Sequence, residues 1–181
     1  NTAFGLASGC TFDGKYIAYA AFDGGFYKVF VQDVLTKKTK QVSKGGFRSD
    51  QYPFDKNYPI LTWTKSGHKL AIISEKKDII RLKQVDLDKH TTTKNNIIKF
   101  KRIYGADFTN NPNLMVVSGQ NKGQTDLYLY NTANTNATQL NNDIYDDLNP
   151  VSVNWNGNDA VLFSSNRIEN KFYLESIDTV L

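Results

Sequence analysis

Apolar and polar residues alternate in short runs along the chain, and each run is followed by turn-forming residues. One clear run is GKYIAYAAF, which starts at Gly14. A period of two places one set of side chains on a buried face and the other in water, so it is typical of β-strands. Because the 3.6-residue period of an amphipathic helix is absent, the pattern predicts an all-β protein with negligible helix content.

One combination of aromatic residue, polar turn and apolar strand occurs four times. The four copies read CTFDGKYIAYAAF, LTWTKSGHKLAIIS, GADFTNNPNLMVVSG and VNWNGNDAVLFSS. Their aromatic residues are Phe12, Trp63, Phe108 and Trp155, which are 51, 45 and 47 residues apart. Internal similarity at a period of about 47 residues indicates a solenoid or a propeller.

Each copy is followed by further strand patterns. A third strand is predicted at GFYKVFVQDV, IIRLKQVDL, DLYLYNT and KFYLESID, and a weaker fourth strand at KQVS, NIIKF and ATQLN. Four short antiparallel strands per repeat make one propeller blade, which must stack on its neighbours to bury both faces. The prediction is therefore a β-propeller segment of about four blades, near residues 4–50, 51–100, 101–145 and 146–181. Since only TVL follows the last third strand, we expect this segment to be part of a larger propeller.

The four aromatic residues are predicted to be structural anchors. Each stands just before a hairpin turn, at the end of the first strand of its blade. We expect each ring to be buried between neighbouring blades, where an aromatic side chain removes about 150–250 Å² from water.

The stretch DIYDDLNPVSVNWNGNDAVLFSSNR, from Asp143, has the composition of a functional site. Asp146 and Asp147 lead into the first strand of the fourth blade, and Arg167 follows its hairpin partner. We predict an ion pair that braces the blade. The acids lack the alternating spacing and the glycine of a calcium loop, so no metal and no cofactor are predicted.

Other catalytic signals are missing from the sequence. His68, in KSGHK, and His90, in DKHTTTK, lie in turns, and no G-x-S-x-G motif occurs. The stretch GGFRSD from Gly45 lacks the lysine and spacing of a phosphate-binding loop. Cys10 is the only cysteine, which excludes an intrachain disulfide and a cysteine metal cluster. The sequence predicts a protein that is not an enzyme.

Charge and hydropathy narrow the range of partners. The net charge of +4 comes from 22 basic and 18 acidic residues, and the lysines are scattered in small groups. Such a surface favours solvation over nucleic-acid binding. No run approaches the roughly 18 apolar residues of a membrane span, so no membrane insertion of this segment is predicted.

The repeat resembles a known family. FDGKYIAY with FDGGFYKVFVQDV, and DDLNPVSVNWNGNDAVLFSSNR, resemble the WD40-like repeat of TolB-type β-propellers. The Asn- and Lys-rich sequence, as in GQNKGQTDLYLYNT, is similar to that of large envelope-associated TolB-like proteins of Bacteroidota. The Ser-Pro-Asp-Gly turn of the family is degenerate in every copy here, and its Ser-x-Arg element survives only as Ser165-Asn166-Arg167.

The resemblance implies a non-catalytic scaffold in the periplasm or at the outer membrane. Its partners would be envelope proteins, such as those of a secretion or outer-membrane complex. An alternative is the non-catalytic gating propeller of a serine peptidase of the prolyl-oligopeptidase kind, whose blades are similar. A fold does not fix a function, so both remain open at this point.

Overall fold

The structure is a computed structural model that describes residues 5–23, 26–43, 47–48, 58–76, 78–168 and 171–178. Within these ranges the chain forms sixteen β-strands in four antiparallel sheets and no helix, which confirms the predicted all-β class. No helix long and apolar enough to cross a membrane occurs in the described ranges. Gly45, Gly46 and residues 179–181, which entered the sequence predictions, lie outside them.

The first compact unit, Asn1–Ile97, contains two sheets. Sheet I has the order β1-β2-β3-β4, with the short strand β5 also paired to β3. Its strands are β1 (Gly5–Cys10), β2 (Tyr16–Asp23), β3 (Phe26–Asp33), β4 (Thr39–Gln41) and β5 (Phe47–Arg48). Sheet II has the order β6-β7-β8-β9. Its strands are β6 (Ile60–Trp63), β7 (Lys69–Lys76), β8 (Ile79–Asp86) and β9 (Thr91–Ile97).

The second compact unit, Ile98–Leu181, contains the other two sheets. Sheet III has the order β10-β11-β12-β13, and its strands are β10 (Arg102–Phe108), β11 (Leu114–Asn121), β12 (Gln124–Asn131) and β13 (Ala137–Gln139). Sheet IV has the order β14-β15-β16 in the described residues, and its strands are β14 (Asp147–Trp155), β15 (Asn158–Ile168) and β16 (Lys171–Asp178). In each sheet consecutive strands pair antiparallel in chain order, as predicted for one repeat, and in sheet I β5 additionally pairs with β3.

The fourth strand of sheet II begins earlier than predicted. The sequence pattern indicated a strand from Asn96, but β9 already begins at Thr91 and pairs with β8 over its whole length. Most of its side chains are exposed, so the apolar alternation on which the prediction rested is missing. The β-branched threonines nevertheless favour an extended backbone.

In sheets I, II and IV, tight turns at the predicted glycines connect the first two strands of the repeat. Gly14 and Gly67 have φ of 71° and 70°, a region that residues with a Cβ rarely adopt. In sheet IV both turn residues, Asn156 and Gly157, have positive φ, at 52° and 86°. Two such residues between paired strands are the signature of a type I′ hairpin.

Each unit has its own apolar core between its two sheets. In the first unit, small residues of sheet I pack against larger residues of sheet II. The members of this core are Ala18, Val29, Val31, Val42, Leu61, Trp63, Leu70, Ile72 and Val85. In the second unit, Val116 and Leu127 of sheet III pack against Val161 and Phe163 of sheet IV.

One glycine sets how closely two strands of the second unit approach. A Cβ on Gly105 of β10 would lie 2.9 Å from Cδ of Pro150 in β14. The glycine therefore lets the entry to sheet IV lie directly on sheet III.

Candidate functional site

Two of the four predicted anchor residues are buried. Trp63 ends β6, is 6% exposed, and donates from Nε1 to the carbonyl oxygen of Gly9 at 3.2 Å. Phe108 ends β10 and is fully buried. The two rings occupy the same register, because Trp63 pairs with Leu70 and Phe108 pairs with Met115, in each case seven residues along the chain.

The prediction of a buried ring is wrong at Phe12, which is 89% exposed. The residue of sheet I in the register of Trp63 is Cys10, which pairs with Ile17, again seven residues further on. Phe12 therefore lies two residues beyond the end of β1. It belongs to the loop between β1 and β2, in which residues 12–15 are exposed.

The same prediction is wrong at Trp155, which is 59% exposed. In sheet IV the residue in the register of Trp63 is Val153, which pairs with Ala160, again seven residues further on. From there the β14–β15 ladder continues to the pair Trp155 and Asn158. The hairpin of sheet IV is therefore longer than its equivalents, and the indole lies at its tip.

The structure brings Asp147 and Arg167 together, with Asp143 as a third member. We call these three residues the acid–arginine cluster. Nη2 of Arg167 lies 3.1 Å from both carboxylate oxygens of Asp147 and 3.0 Å from Oδ2 of Asp143. Asp146 contributes differently, since its backbone N–H donates to Oδ1 of Asn166 at 2.8 Å.

Strand register explains why the cluster forms. Asp147 pairs with Ser165 across β14 and β15, and residues two apart on a strand share a face. Arg167 thus lies beside Asp147, and its guanidinium carbon lies 5.4 Å from the ring centre of Phe163 on the same face. The cluster closes the end of the sheet over an aromatic residue of the core.

Asp147 is the most deeply buried member of the cluster. Its side chain is fully buried, and Asn141 Nδ2 donates to its Oδ2. Burial raises the pKa of Asp147, while Ser165 and the charge of Arg167 act in the opposite direction. Asn141 in turn accepts from the backbone N–H of Leu127 at 2.7 Å, and Ser118 donates to the carbonyl oxygen of Asp147 at 2.6 Å. The cluster therefore ties sheet IV to sheet III.

Asp126, on β12, is a second buried carboxylate near the cluster. It accepts from Nε2 of Gln139 at 2.9 Å. Burial raises its pKa, the backbone N–H of Asp143 opposes this, and the charges of Asp143 and Asp147 add to it. In the described residues no group of three His, Cys, Asp or Glu side chains is arranged to hold a metal ion.

A histidine between two carboxylates forms the corresponding polar contact of the first unit. Nδ1 of His68 lies 2.6 Å from Oδ1 of Asp88, and Nε2 lies 2.9 Å from Oδ2 of Asp13. The backbone N–H of His68 also donates to Asp88, at 3.2 Å. We call these residues the Asp–His–Asp group; it connects the β1–β2, β6–β7 and β8–β9 turns.

The sequence contained a signal for the Asp–His–Asp group. Asp13 and His68 stand beside Gly14 and Gly67, the glycines of equivalent turns in consecutive repeats. Equivalent turns of stacked sheets lie at the same end, so an acid and a histidine there become neighbours. The repeat therefore indicates a contact between Asp13 and His68, which the turn KSGHK taken alone does not.

Solved structures of known proteins resemble this chain over almost its whole length. TolB from Acinetobacter baumannii aligns with a TM-score of 0.74 and 15% identity, covering 97% of this chain and 41% of TolB. A TolB candidate from Agrobacterium tumefaciens aligns with a TM-score of 0.74 and 14% identity, covering 99% and 64%. The chain has a β-propeller fold.

A third propeller comes from a different class of protein. The β-propeller domain of the Trilobed protease from Pyrococcus furiosus aligns with a TM-score of 0.57 and 9% identity, over 100% of this chain and 59% of that domain. This chain thus spans about two fifths to under two thirds of the length of the chains it matches. No family model and no curated relative matches the sequence.

Proposed function

We propose that this propeller segment is part of a non-catalytic scaffold that binds protein partners in the bacterial cell envelope. The observation that carries the proposal is the exposure of Trp155 at a hairpin tip and of Phe12 in the equivalent turn of sheet I. An indole or phenyl ring held out by a rigid hairpin offers a large apolar contact at low entropic cost.

Loops at the ends of a rigid fold are where binding residues usually lie. Tryptophan is among the residues that contribute most energy to protein interfaces. The polar groups of the two units serve a different purpose, because the acid–arginine cluster and the Asp–His–Asp group join one sheet to the next. We therefore assign partner binding to the aromatic residues at the hairpin tips, whereas the ion pairs stabilise the packing of one sheet on the next.

The proposed location and partners follow from the resemblance of the repeat to TolB-type propellers. On that basis the protein belongs with the envelope-associated TolB-like proteins of Bacteroidota, in the periplasm or at the outer membrane. Its partners are proteins of a secretion or outer-membrane complex.

Site-specific photo-crosslinking in living cells tests the binding role. A benzophenone amino acid is placed at Phe12 or at Trp155 of the parent protein. Matched controls carry it at Thr92 of β9 and Thr138 of β13, which are also exposed but lie on outer strands. We expect a discrete adduct with another protein from at least one tip position and none from the controls. Equal labelling at all four positions, or adducts within the parent chain only, would contradict the proposal.

The single exposed cysteine, Cys10, provides a test of location. A membrane-impermeant maleimide is applied to cells whose outer membrane has been permeabilised. We expect labelling of the wild-type protein that is lost in Cys10→Ser, because the thiol then lies outside the inner membrane. Labelling that requires lysis of the inner membrane would show a cytoplasmic location.

A second candidate function is the gating propeller of a serine peptidase. The likeness to the propeller domain of the Trilobed protease favours it. The parent protein would then carry a catalytic serine in another domain and react with a fluorophosphonate probe. Labelling of the parent protein would support this candidate over the scaffold, whereas the scaffold predicts none.

A further inference from the structure

We propose that His68 is a pH-sensitive clasp, which holds sheet I to sheet II when its imidazole is protonated and releases one of the two contacts when it is neutral. The Asp–His–Asp group is the element concerned. It joins the turn after β1 to the turns after β6 and β8, all within the first unit.

The arrangement of donors and acceptors requires the protonated form. Both ring nitrogens of His68 lie within hydrogen-bond distance of a carboxylate oxygen, at 2.6 and 2.9 Å. An ionised carboxylate only accepts hydrogen bonds, and a neutral imidazole has a single N–H to donate. Only the imidazolium, with two N–H donors, satisfies both carboxylates at once.

The other charged and titratable groups around His68 come from β2, β3 and the adjoining turns. The ring of Tyr16 meets the imidazole edge to face, with centroids 5.0 Å apart. The ammonium group of Lys15 lies 5.0 Å from the centre of the Tyr16 ring and interacts with the charges of Asp33 and Asp88. His68 therefore has two carboxylates in direct contact, while the Lys15 ammonium group lies over the tyrosine ring.

The direction of each pKa shift agrees with the clasp. The hydrogen bonds that His68 donates to Asp88 and then to Asp13 raise its pKa above the ordinary value of 6.5. Hydrogen bonds from Thr11 and His68 lower the pKa of Asp13, and the bond from His68 lowers that of Asp88, both from 3.8.

The carboxylates contribute stability above their unfolded pKa and lose it as the pH falls through their folded pKa. The histidine contributes fully below 6.5 and loses its contribution as the pH rises through its raised folded pKa.

Release of His68 leaves the β1–β2 turn itself intact. Asp13 also accepts from Oγ1 of Thr11 at 2.7 Å and from the backbone N–H of Lys15 at 3.0 Å. What changes with pH is therefore the connection between the two hairpin ends. The β1–β2 turn keeps its average conformation but opens more often once that connection is lost. The clasp is strongest between the unfolded pKa of the carboxylates and that of the histidine, from about pH 4 to about pH 6.5.

NMR titration of the histidine side chains in the purified chain tests the clasp directly. We expect the ¹⁵N shifts of His68 to show an imidazolium with both nitrogens protonated at pH 6, and its titration midpoint to lie above 6.5. The substitutions Asp13→Asn and Asp88→Asn should each lower the midpoint, and the double substitution should lower it further. A midpoint at or below 6.5, or a neutral tautomer at pH 6, would overturn the proposal.

Hydrogen exchange shows whether the titration is coupled to the contact between the sheets. We expect the amides of residues 11–15 to lose protection, relative to intrinsic rates, as the pH passes the His68 midpoint. The substitution His68→Gln should abolish this step and lower the Tm at pH 6 by about 1–4 °C, a difference that disappears by pH 9. His90→Gln, which removes the other histidine, is the control and should keep the step. A step that persists in His68→Gln would contradict the proposal, and the wild-type titration decides the question if that variant does not fold.

Discussion

Replacement of Trp63 by alanine is expected to lower the free energy of unfolding of the first unit by about 3–5 kcal/mol, a loss typical of a buried tryptophan. The indole lies in the core between sheets I and II and donates to Gly9. Truncation therefore leaves a cavity and removes the hydrogen bond to Gly9. The loss is a large share of the total stability of an ordinary domain.

Trp155→Ala is the matched control, since it removes the same side chain from an exposed hairpin tip. It should change the free energy of unfolding by less than about 1 kcal/mol. Urea denaturation followed by circular dichroism compares the two variants. These are the only two tryptophans of the chain, so the fluorescence of each variant reports the remaining one. Trp63, left in Trp155→Ala, should emit at shorter wavelength than Trp155, and equal losses of stability would show that the burial described for Trp63 is wrong.

Replacement of Arg167 by methionine is expected to cost about 2–4 kcal/mol, because it leaves the buried carboxylate of Asp147 without its cation. The figure is at the lower end of the usual range, since the guanidinium is partly exposed and Asp143 shares it. Methionine keeps much of the apolar contact with Phe163, so the loss reports mainly on charge. Urea denaturation at fixed pH measures it.

The loss in Arg167→Met should depend on pH. Burial already raises the pKa of Asp147, and removal of the neighbouring positive charge raises it further. A carboxyl group with a raised folded pKa contributes fully below its unfolded pKa, and that contribution is lost as the pH rises through the folded pKa. The destabilisation should therefore be largest near neutral pH and smaller near pH 4.

Two further variants separate the charge from other effects. Asp147→Asn combined with Arg167→Met removes both charges, so the double variant should be more stable than Arg167→Met alone at pH 7. Asp146→Asn, next in sequence, should stay within about 0.5 kcal/mol of the wild type, because the described contact of Asp146 is made by its backbone. Simple additivity of the two cluster substitutions would contradict the account of the cluster.

The strands were predictable from the sequence because they depend on local alternation. The four copies of the motif fixed the period, and the predicted glycines at positions 14 and 67 mark the turns where the chain reverses. The register of the aromatic residues was not predictable in this way. Trp155 follows the same kind of strand as Trp63, but two more ladder pairs separate it from the core. Burial of the ring depends on how far the strand ladder of the hairpin extends. An aromatic residue near a turn does not indicate that length.

The polar groups were predictable where strand pairing or the repeat brings their residues together. Asp147 and Arg167 could be associated because a hairpin brings the entry to β14 beside the end of β15. Asp143 comes from the preceding loop, and its place in the cluster depends on a loop conformation that no local pattern specifies. The contact of His68 with Asp13 depends on the stacking of two sheets, and its signal in the sequence is the equivalence of the two glycine turns in consecutive repeats.

An experimental structure of the parent protein, joined to the partner captured at position 12 or 155, tests the central claim most directly. The account predicts the four antiparallel sheets described here, with a second polypeptide in contact with the hairpin tip that carries Phe12 or Trp155. A structure in which both side chains are covered only by the parent chain itself, and the second polypeptide binds elsewhere, would contradict it.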